Sequence, residues 1–254
     1  MEILFLGTGG GRVVTRLQVR WTGGILLKTK GHQIHIDPGP GALVRMKELG
    51  ENPSKTDILI LTHNHTDHVD DARVISECMK NGILVASEAC VKGEEKIITK
   101  YYKQFFKRIE LVKPGKTVDL GDLKLEATKT LHDDKGVGIK LFGERKIGFT
   151  SDTKYFKGLG KQFEGMDVLV LNVLSPEPRR WAHLCTEDAI KILGEMRRKP
   201  GLVIITHFGM GMIRAGPINE ARKISKESGV SCIAAKDGMR LDLSQTSLGS
   251  FGKL

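Results

Sequence analysis

An α/β protein whose sheets carry helices on their outer sides is the fold class this 254-residue chain predicts. Three observations predict it. Short apolar runs rich in Ile, Val and Leu recur along the chain, helical patterns with their own start and stop signals lie between some of them, and no Pro-, Gly- or Ser-rich linker divides the whole. The length suits a single domain spanning residues 1–254.

The runs Ile3 to Leu6, Gly24 to Leu27, Ile34 to Ile36, Ile58 to Leu61, Ile83 to Val85, Leu123 to Ala127, Gly138 to Phe142, Lys146 to Thr150, Val168 to Val173 and Leu202 to Ile205 read as strands buried on both faces. After the first comes Gly7-Thr8-Gly9-Gly10-Gly11-Arg12. Its third glycine in a G-x-G-x-x-G pattern would fall on Arg12, and Val13-Val14-Thr15 starts a helix poorly, so a dinucleotide-binding turn is rejected. Between Glu94 and Ile109 the residues Ile98, Tyr102, Phe105 and Ile109 fall at helical spacing. Lys96, Lys100, Lys103 and Lys107 repeat that spacing on the other side, which predicts one helix with a lysine face. Thr186 reads as an N-cap followed by acidic Glu187 and Asp188, and this helix runs to Pro200-Gly201. Asn219 to Glu227 predicts another, with Gly229 just past its end.

Composition narrows the class further. No apolar run approaches the roughly 18 residues of a membrane span, and the N-terminus has no basic start or cleavage site, so a cytoplasmic protein is expected. The four cysteines, Cys78, Cys90, Cys185 and Cys232, form no C-x-x-C pair and read as buried thiols. The net charge of +10 points to an anionic partner.

The chemistry lies after the strand Ile58 to Leu61, in Thr62-His63-Asn64-His65-Thr66-Asp67-His68. Three imidazoles and a carboxylate within six residues at a strand end are hard to explain by packing. A mixed imidazole and carboxylate set suits Zn²⁺ first, with Mn²⁺, Fe²⁺ or Ni²⁺ as alternatives. Further donors should come from other strand ends. His132 follows the run Leu123 to Ala127, Asp152 follows Lys146 to Thr150, and His207 follows Leu202 to Ile205. His32 and His35 read as structural.

With these residues in place, the sequence resembles the metallo-β-lactamase superfamily. The match runs in the family's order from Ile36-Asp37-Pro38-Gly39-Pro40-Gly41 through the H-x-H-x-D-H loop, His132, Ser151-Asp152-Thr153 and His183 to Thr206-His207. The resemblance implies a four-layer αββα sandwich and two divalent metal ions. His63, His65 and His132 would hold one, Asp67, His68 and His207 the other, and Asp152 would bridge them. Asp37 takes the place of the aspartate that steadies the ligand loop from behind. Two cations about 3.5–4 Å apart lower the pKa of a water toward roughly 7 and stabilise attacking and leaving oxygens, as a phosphodiester requires. Asp67 can both ligate and accept a hydrogen bond from such a hydroxide.

The downstream half resembles the branch that holds cyclic-phosphate phosphodiesterases and, more distantly, tRNA 3′-processing endonucleases. His183 matches the histidine that meets the scissile phosphate or its leaving oxygen, a general acid or transition-state stabiliser. Two features depart from the endonucleases. Asn172 stands where they carry an acid, and His132 and Asp152 are only 20 residues apart, room for a hairpin instead of a tRNA-gripping arm. A third departs from the phosphodiesterases: Gly11 to Arg16 contains no cysteine, whereas they carry a cysteine-rich zinc loop. The reading is therefore a hydrolase of a cyclic phosphate, nucleotide or RNA end. A thioester or lactam hydrolase and a non-catalytic metal- or nucleic-acid-binding protein are the alternatives. Eight basic residues against three acids between Lys92 and Lys116 would offer RNA a landing face at Lys96, Lys100, Lys103 and Lys107, and Arg179 and Arg180 precede His183.

Overall fold

The computed structural model describes residues 1–132, 135–178 and 183–244. Its first sheet is built from β1 (Glu2–Phe5), β2 (Ile25–Lys28), β3 (Gln33–Ile36), β4 (Ile58–Leu61), β5 (Gly82–Ser87), β6 (Phe106–Val112) and β15 (Arg240–Asp242), in the order β15-β1-β2-β3-β4-β5-β6. The second holds β7 (Thr117–Asp119), β8 (Lys124–Lys129), β9 (Val137–Phe142), β10 (Lys146–Phe149), β11 (Val168–Ser175), β13 (Leu202–Thr206) and β14 (Cys232–Ala234), in the order β14-β13-β11-β10-β9-β8-β7. The two-residue β12 (Leu184–Cys185) pairs beside β11. Every run read as a strand is one, at nearly the predicted bounds.

Strand alternation makes the layers. Phe5, Leu27, Ile58 and Ile60 face Leu125, Ile139, Val168 and Ile204 in a core between the sheets. The intervening residues Leu4, Leu26, Leu59 and Leu61 point outward and are covered by α2 (Ala42–Glu48) and α4 (Ala72–Cys78). On the other side Leu169, Leu171, Val203 and Ile205 pack with α7 (Leu159–Gln162), α8 (Thr186–Gly194) and α10 (Pro217–Ser228). This is the αββα order. Among the described residues no helix is long and apolar enough to cross a membrane. Cys90, Cys185 and Cys232 are buried, Cys78 is half-buried, and no disulfide joins them.

Strand direction positions the site. The ladders β3-β4-β5-β6 and β10-β11-β13 are parallel, and β8 runs with β10 because each is antiparallel to β9. Loops that follow β3, β4, β8, β10 and β13 therefore supply one edge of the sandwich, where ligands collect in such sheets.

The predicted helix from Glu94 to Ile109 does not form. Only α6 (Lys100–Lys103) is helical there, and the chain is in β6 from Phe106. The reason is topological. Because β5 and β6 are parallel, the chain leaving Ser87 must travel back the length of the sheet before it can pair again. Lys107 and Arg108 then sit exposed on an edge strand, where charge discourages pairing with other chains. No single lysine face results: Lys96 lies on the link that follows α5 (Glu88–Val91), Lys100 and Lys103 on α6, and Lys107 near the start of β6.

Two helix starts also differ from expectation. Val13 and Val14 do enter a helix, α1 (Arg12–Leu17), with Val14 buried and the Thr15 hydroxyl donating to the Gly11 carbonyl. Tertiary packing overrides the weak propensity. The cap of α8 is Cys185, which shares a reciprocal pair of contacts with Asp188, while Thr186 is the first helical residue. Gly229 closes α10 at φ 70°, as its position predicts.

Candidate metal centre

The chain leaves β4 extended through His63 and His65, so these two rings project to the same side. One turn of helix, α3 (Thr66–Val69), then carries Asp67 and His68. His132 arrives from the loop after β8 and His207 from the end of β13. Their donor atoms form two triads, His63/His65/His132 and Asp67/His68/His207, each with all its atoms within 4.8 Å of one another. Between them lies Oδ2 of Asp152. It is 3.7 Å from His63, 3.3 Å from His68, 3.8 Å from His132, 3.4 Å from His183 and 3.2 Å from His207. All seven residues expected as ligands meet here, and so does His183, whose ring touches those of His132 and His207. Arg179 and Arg180 lie outside the described residues.

Asp37 stands behind the ligands as expected. Its carboxylate accepts from the Thr62 amide at 2.8 Å and the Thr62 hydroxyl at 2.6 Å, and it lies 3.0 Å from Nδ1 of His68. Holding Nδ1 leaves Nε2 of His68 to face Asp67 and Asp152. Ser151 donates to the Thr62 hydroxyl at 2.7 Å, which ties the loops of the two sheets together. Asp37, Ser151 and His207 all adopt positive φ, 51°, 55° and 65°. Such conformations cost about 1–3 kcal/mol each and gather at functional sites.

Contacts that no motif announced complete the centre. Asn172 donates to Oδ1 of Asp152 at 2.8 Å, which fixes that oxygen and leaves Oδ2 for the imidazoles. Asn172 was visible in the sequence as an uncharged departure; its partner was not. The Gly11 amide donates to Oδ2 of Asp67 at 2.7 Å. Gly10 lies against the His207 ring so closely that a Cβ there would be 2.4 Å from it.

Electrostatics separate the histidines. Burial, reinforced by His68, holds the His63 imidazole well below its ordinary pKa against the pull of Asp152. Burial also lowers His65, with His132 adding to it, and pushes His183 down to about 4 although Asp152 opposes. His68 goes the other way, because Asp152 and Asp67 outweigh its burial. Asp67 and Asp152 resist burial and stay low, Asp67 through His68 and His207, Asp152 through His207 and His68.

A cation fits this arrangement. Nε2 of His63, His68 and His207 and Nδ1 of His183 are buried, face Oδ2 of Asp152 and make no hydrogen bond of good geometry among the described residues. An unpaired buried polar atom costs about 1–3 kcal/mol, so four aimed at one small volume call for a ligand. Imidazole nitrogens with carboxylate oxygens suit a divalent ion of borderline hardness, Zn²⁺ or Mn²⁺ among them. His35 is indeed structural, buried with Nε2 3.0 Å from the Gly23 carbonyl.

Two sheets stacked face to face, with paired donor triads gathered at one edge of the sandwich, define an αββα protein suited to divalent metal. The chain belongs to the metallo-β-lactamase superfamily: residues 32–208 match the family described as beta-lactamase superfamily domain. Members of this superfamily are metal-dependent hydrolases. An uncharacterized protein of Methanocaldococcus jannaschii is 36% identical over 257 residues, covering 96% of this chain and 95% of its own. The ribonuclease Z of Borrelia garinii subsp. bavariensis is 24% identical over 95% of this chain and 96% of its own. Among solved structures, the metallo-beta-lactamase fold protein YhfI from Bacillus subtilis superposes with a TM-score of 0.78 at 17% identity, covering 95% of this chain and 99% of its own. A diphosphatase of the PhnP family gives 0.69 at 18% identity, covering 95% and 97%.

Proposed function

We propose that the chain is a phosphodiesterase that works with two divalent ions, Zn²⁺ or Mn²⁺, and acts on a cyclic phosphate, a nucleotide or an RNA end. The observation that carries this reading is the single oxygen, Oδ2 of Asp152, set among five imidazoles, four of whose buried ring nitrogens make no hydrogen bond among the described residues. When bound, the ions supply Lewis acidity and lower the pKa of a water.

The chain's own residues do the rest. His63, His65 and His132 would hold one ion and Asp67, His68 and His207 the other, and Asp152 would face both. Asn172 prevents Asp152 from rotating, and Asp37 keeps His68 in the tautomer that presents Nε2. With its pKa near 4, His183 is neutral at pH 7, and its one N–H serves as a hydrogen-bond donor to a phosphoryl oxygen more readily than as a proton donor. The ribonuclease Z relatives support an RNA end. The hairpin of β9 and β10, which takes up the space between His132 and Asp152, supports a substrate smaller than tRNA.

An RNA substrate would meet Lys96 and Lys113 before Lys100, Lys103 or Lys107. Asn64, between two metal ligands, donates to the Glu95 carbonyl at 2.8 Å and so ties the Lys96 segment to the metal loop. Lys113 follows Val112, which pairs level with Ser87 at the same sheet edge. The test is hydrolysis by protein reconstituted with each metal, offered phosphodiester, thioester and lactam substrates. Phosphodiester turnover that vanishes with chelation supports the proposal. Turnover confined to a thioester or lactam would replace it with the other hydrolase reading, and two bound ions with no turnover on any substrate would make the chain a binding protein.

A further inference from the structure

We infer that Asp237, 170 residues beyond Asp67 in the chain, is the positioning residue for the Asp67/His68/His207 half of the metal centre. Its carboxylate touches no ligand. It accepts three hydrogen bonds, from the Thr8 amide at 2.8 Å, the Thr8 hydroxyl at 2.7 Å and the Trp21 amide at 3.0 Å. These fix both sides of a small knot, since Gly9 donates in turn to the Trp21 carbonyl at 2.9 Å. The Arg20 guanidinium donates to the same Thr8 hydroxyl at 2.8 Å and lies over the Phe208 ring.

The knot grips the second triad. Phe208 donates to the Thr8 carbonyl at 2.7 Å and accepts from Gly10 at 3.2 Å, so the residue after His207 is stitched to the glycine loop on both sides. In the next residue of the loop the Gly11 amide reaches Oδ2 of Asp67, and Gly10 supports the His207 ring. The loop thus bears on Asp67 and His207. His63, His65 and His132 are approached from elsewhere, His63 by Gly136.

A carboxylate is required at this position. All three partners are donors, and an amide at position 237 would set an N–H against one of them. The turn that carries Asp237 is itself fixed between the two sheets. Ala235 donates to the Ile205 carbonyl of β13, and Gly238 and Phe5 exchange contacts with β1 and Met239. Asp237 therefore transmits the spacing of the sheets to one metal site and not the other.

This inference rests on the reading that the chain binds two ions. The experiment is a Co²⁺ titration of full-length Asp237→Asn followed by its visible spectrum. His207→Ala and His132→Ala give the reference signature for loss of either site. Groups that hydrogen-bond a ligand directly are worth about 10–100-fold in metal affinity, and Asp237 acts one contact further out, so the site containing His207 should weaken by about tenfold and the site containing His132 by less than about threefold. Thr8→Val, which removes one of the three hydrogen bonds, should shift the same site in the same direction by a smaller factor, and it serves if Asp237→Asn does not fold. Equal weakening of both sites, or a lowered melting temperature with both affinities retained, would overturn the inference and leave Asp237 a merely structural residue. Wild-type protein that takes up fewer than two ions would remove the two-ion reading itself, and this inference with it.

Discussion

Replacing Gly10 by alanine tests the glycine loop with one methyl group. Gly10 is not among the glycines at positive φ, so alanine meets no backbone penalty and the perturbation is steric. Its Cβ would lie 2.4 Å from Cγ, Cδ2 and Cε1 of His207, where contact between carbons settles near 3.5 Å, so the ring must retreat by about 1 Å. The ring has little freedom to do so, because His207 sits at φ 65° and Phe208 is bonded to Thr8. Metal–donor distances tolerate only about 0.2 Å, and misplacement by about 1 Å costs on the order of 100-fold in rate. Overpacking should also cost about 2 kcal/mol, or a melting temperature lower by about 4–8 °C. The assays are metal stoichiometry by mass spectrometry, hydrolysis of a chromogenic phosphodiester, and thermal melting. Gly194→Ala, where nothing among the described residues lies within 4 Å of the new Cβ, is the control. Two tightly held ions and an unchanged rate in Gly10→Ala would refute the reasoning.

Three further outcomes are expected. His183→Ala should lower kcat for a phosphodiester by about 100–1000-fold while the protein keeps both ions, and loss of an ion would reassign His183 as a ligand. For His35, burial outweighs the Gly23 carbonyl and Asp37 and pushes the pKa down to about 4. The unfolded chain takes this proton near pH 6.5, so the stability is complete above that pH and is lost as pH falls toward 4, by about 2 kcal/mol at pH 5. Urea titrations of His35→Gln at pH 7 and pH 5 should lose that much less than wild type does, and an equal loss would contradict the assignment. Lys96→Glu and Lys113→Glu should each weaken RNA binding and reduce its salt slope by about 1, whereas Lys107→Glu and hydrolysis of a small diester should be unaffected; a loss with Lys107→Glu would point to a different face.

The candidate ligands were legible because the chemistry demands particular residue types and the strands deliver them at their ends. His63, His65, Asp67 and His68 stand together in the chain, and His132, Asp152 and His207 each follow a segment whose pattern reads as a strand with at least one buried face. The contacts that aim these residues were not legible. Asn172 reaches Asp152, Gly10 reaches His207 and Asp237 reaches Thr8 across strand order that only the folded topology reveals. The segment from Glu94 to Ile109 was misread for a related reason. Ile98, Tyr102, Phe105 and Ile109 keep helical spacing, yet Ile98 and Phe106 bury themselves against the outer face of the first sheet from a link and a strand. Local period cannot register that a parallel strand must first be reached.

Each donor triad takes members from both sheets: His63 and His65 come from the loop after β4 and His132 from the one after β8, while Asp67 and His68 stand opposite His207 from β13. A bound ion is therefore a cross-link between the two halves of the sandwich, in the way a disulfide would be, but a reversible one. At a free ion concentration of about 1000 times Kd, each site adds roughly 4 kcal/mol to the folded state. The supply of free metal around the protein would then set how firmly its two halves hold together.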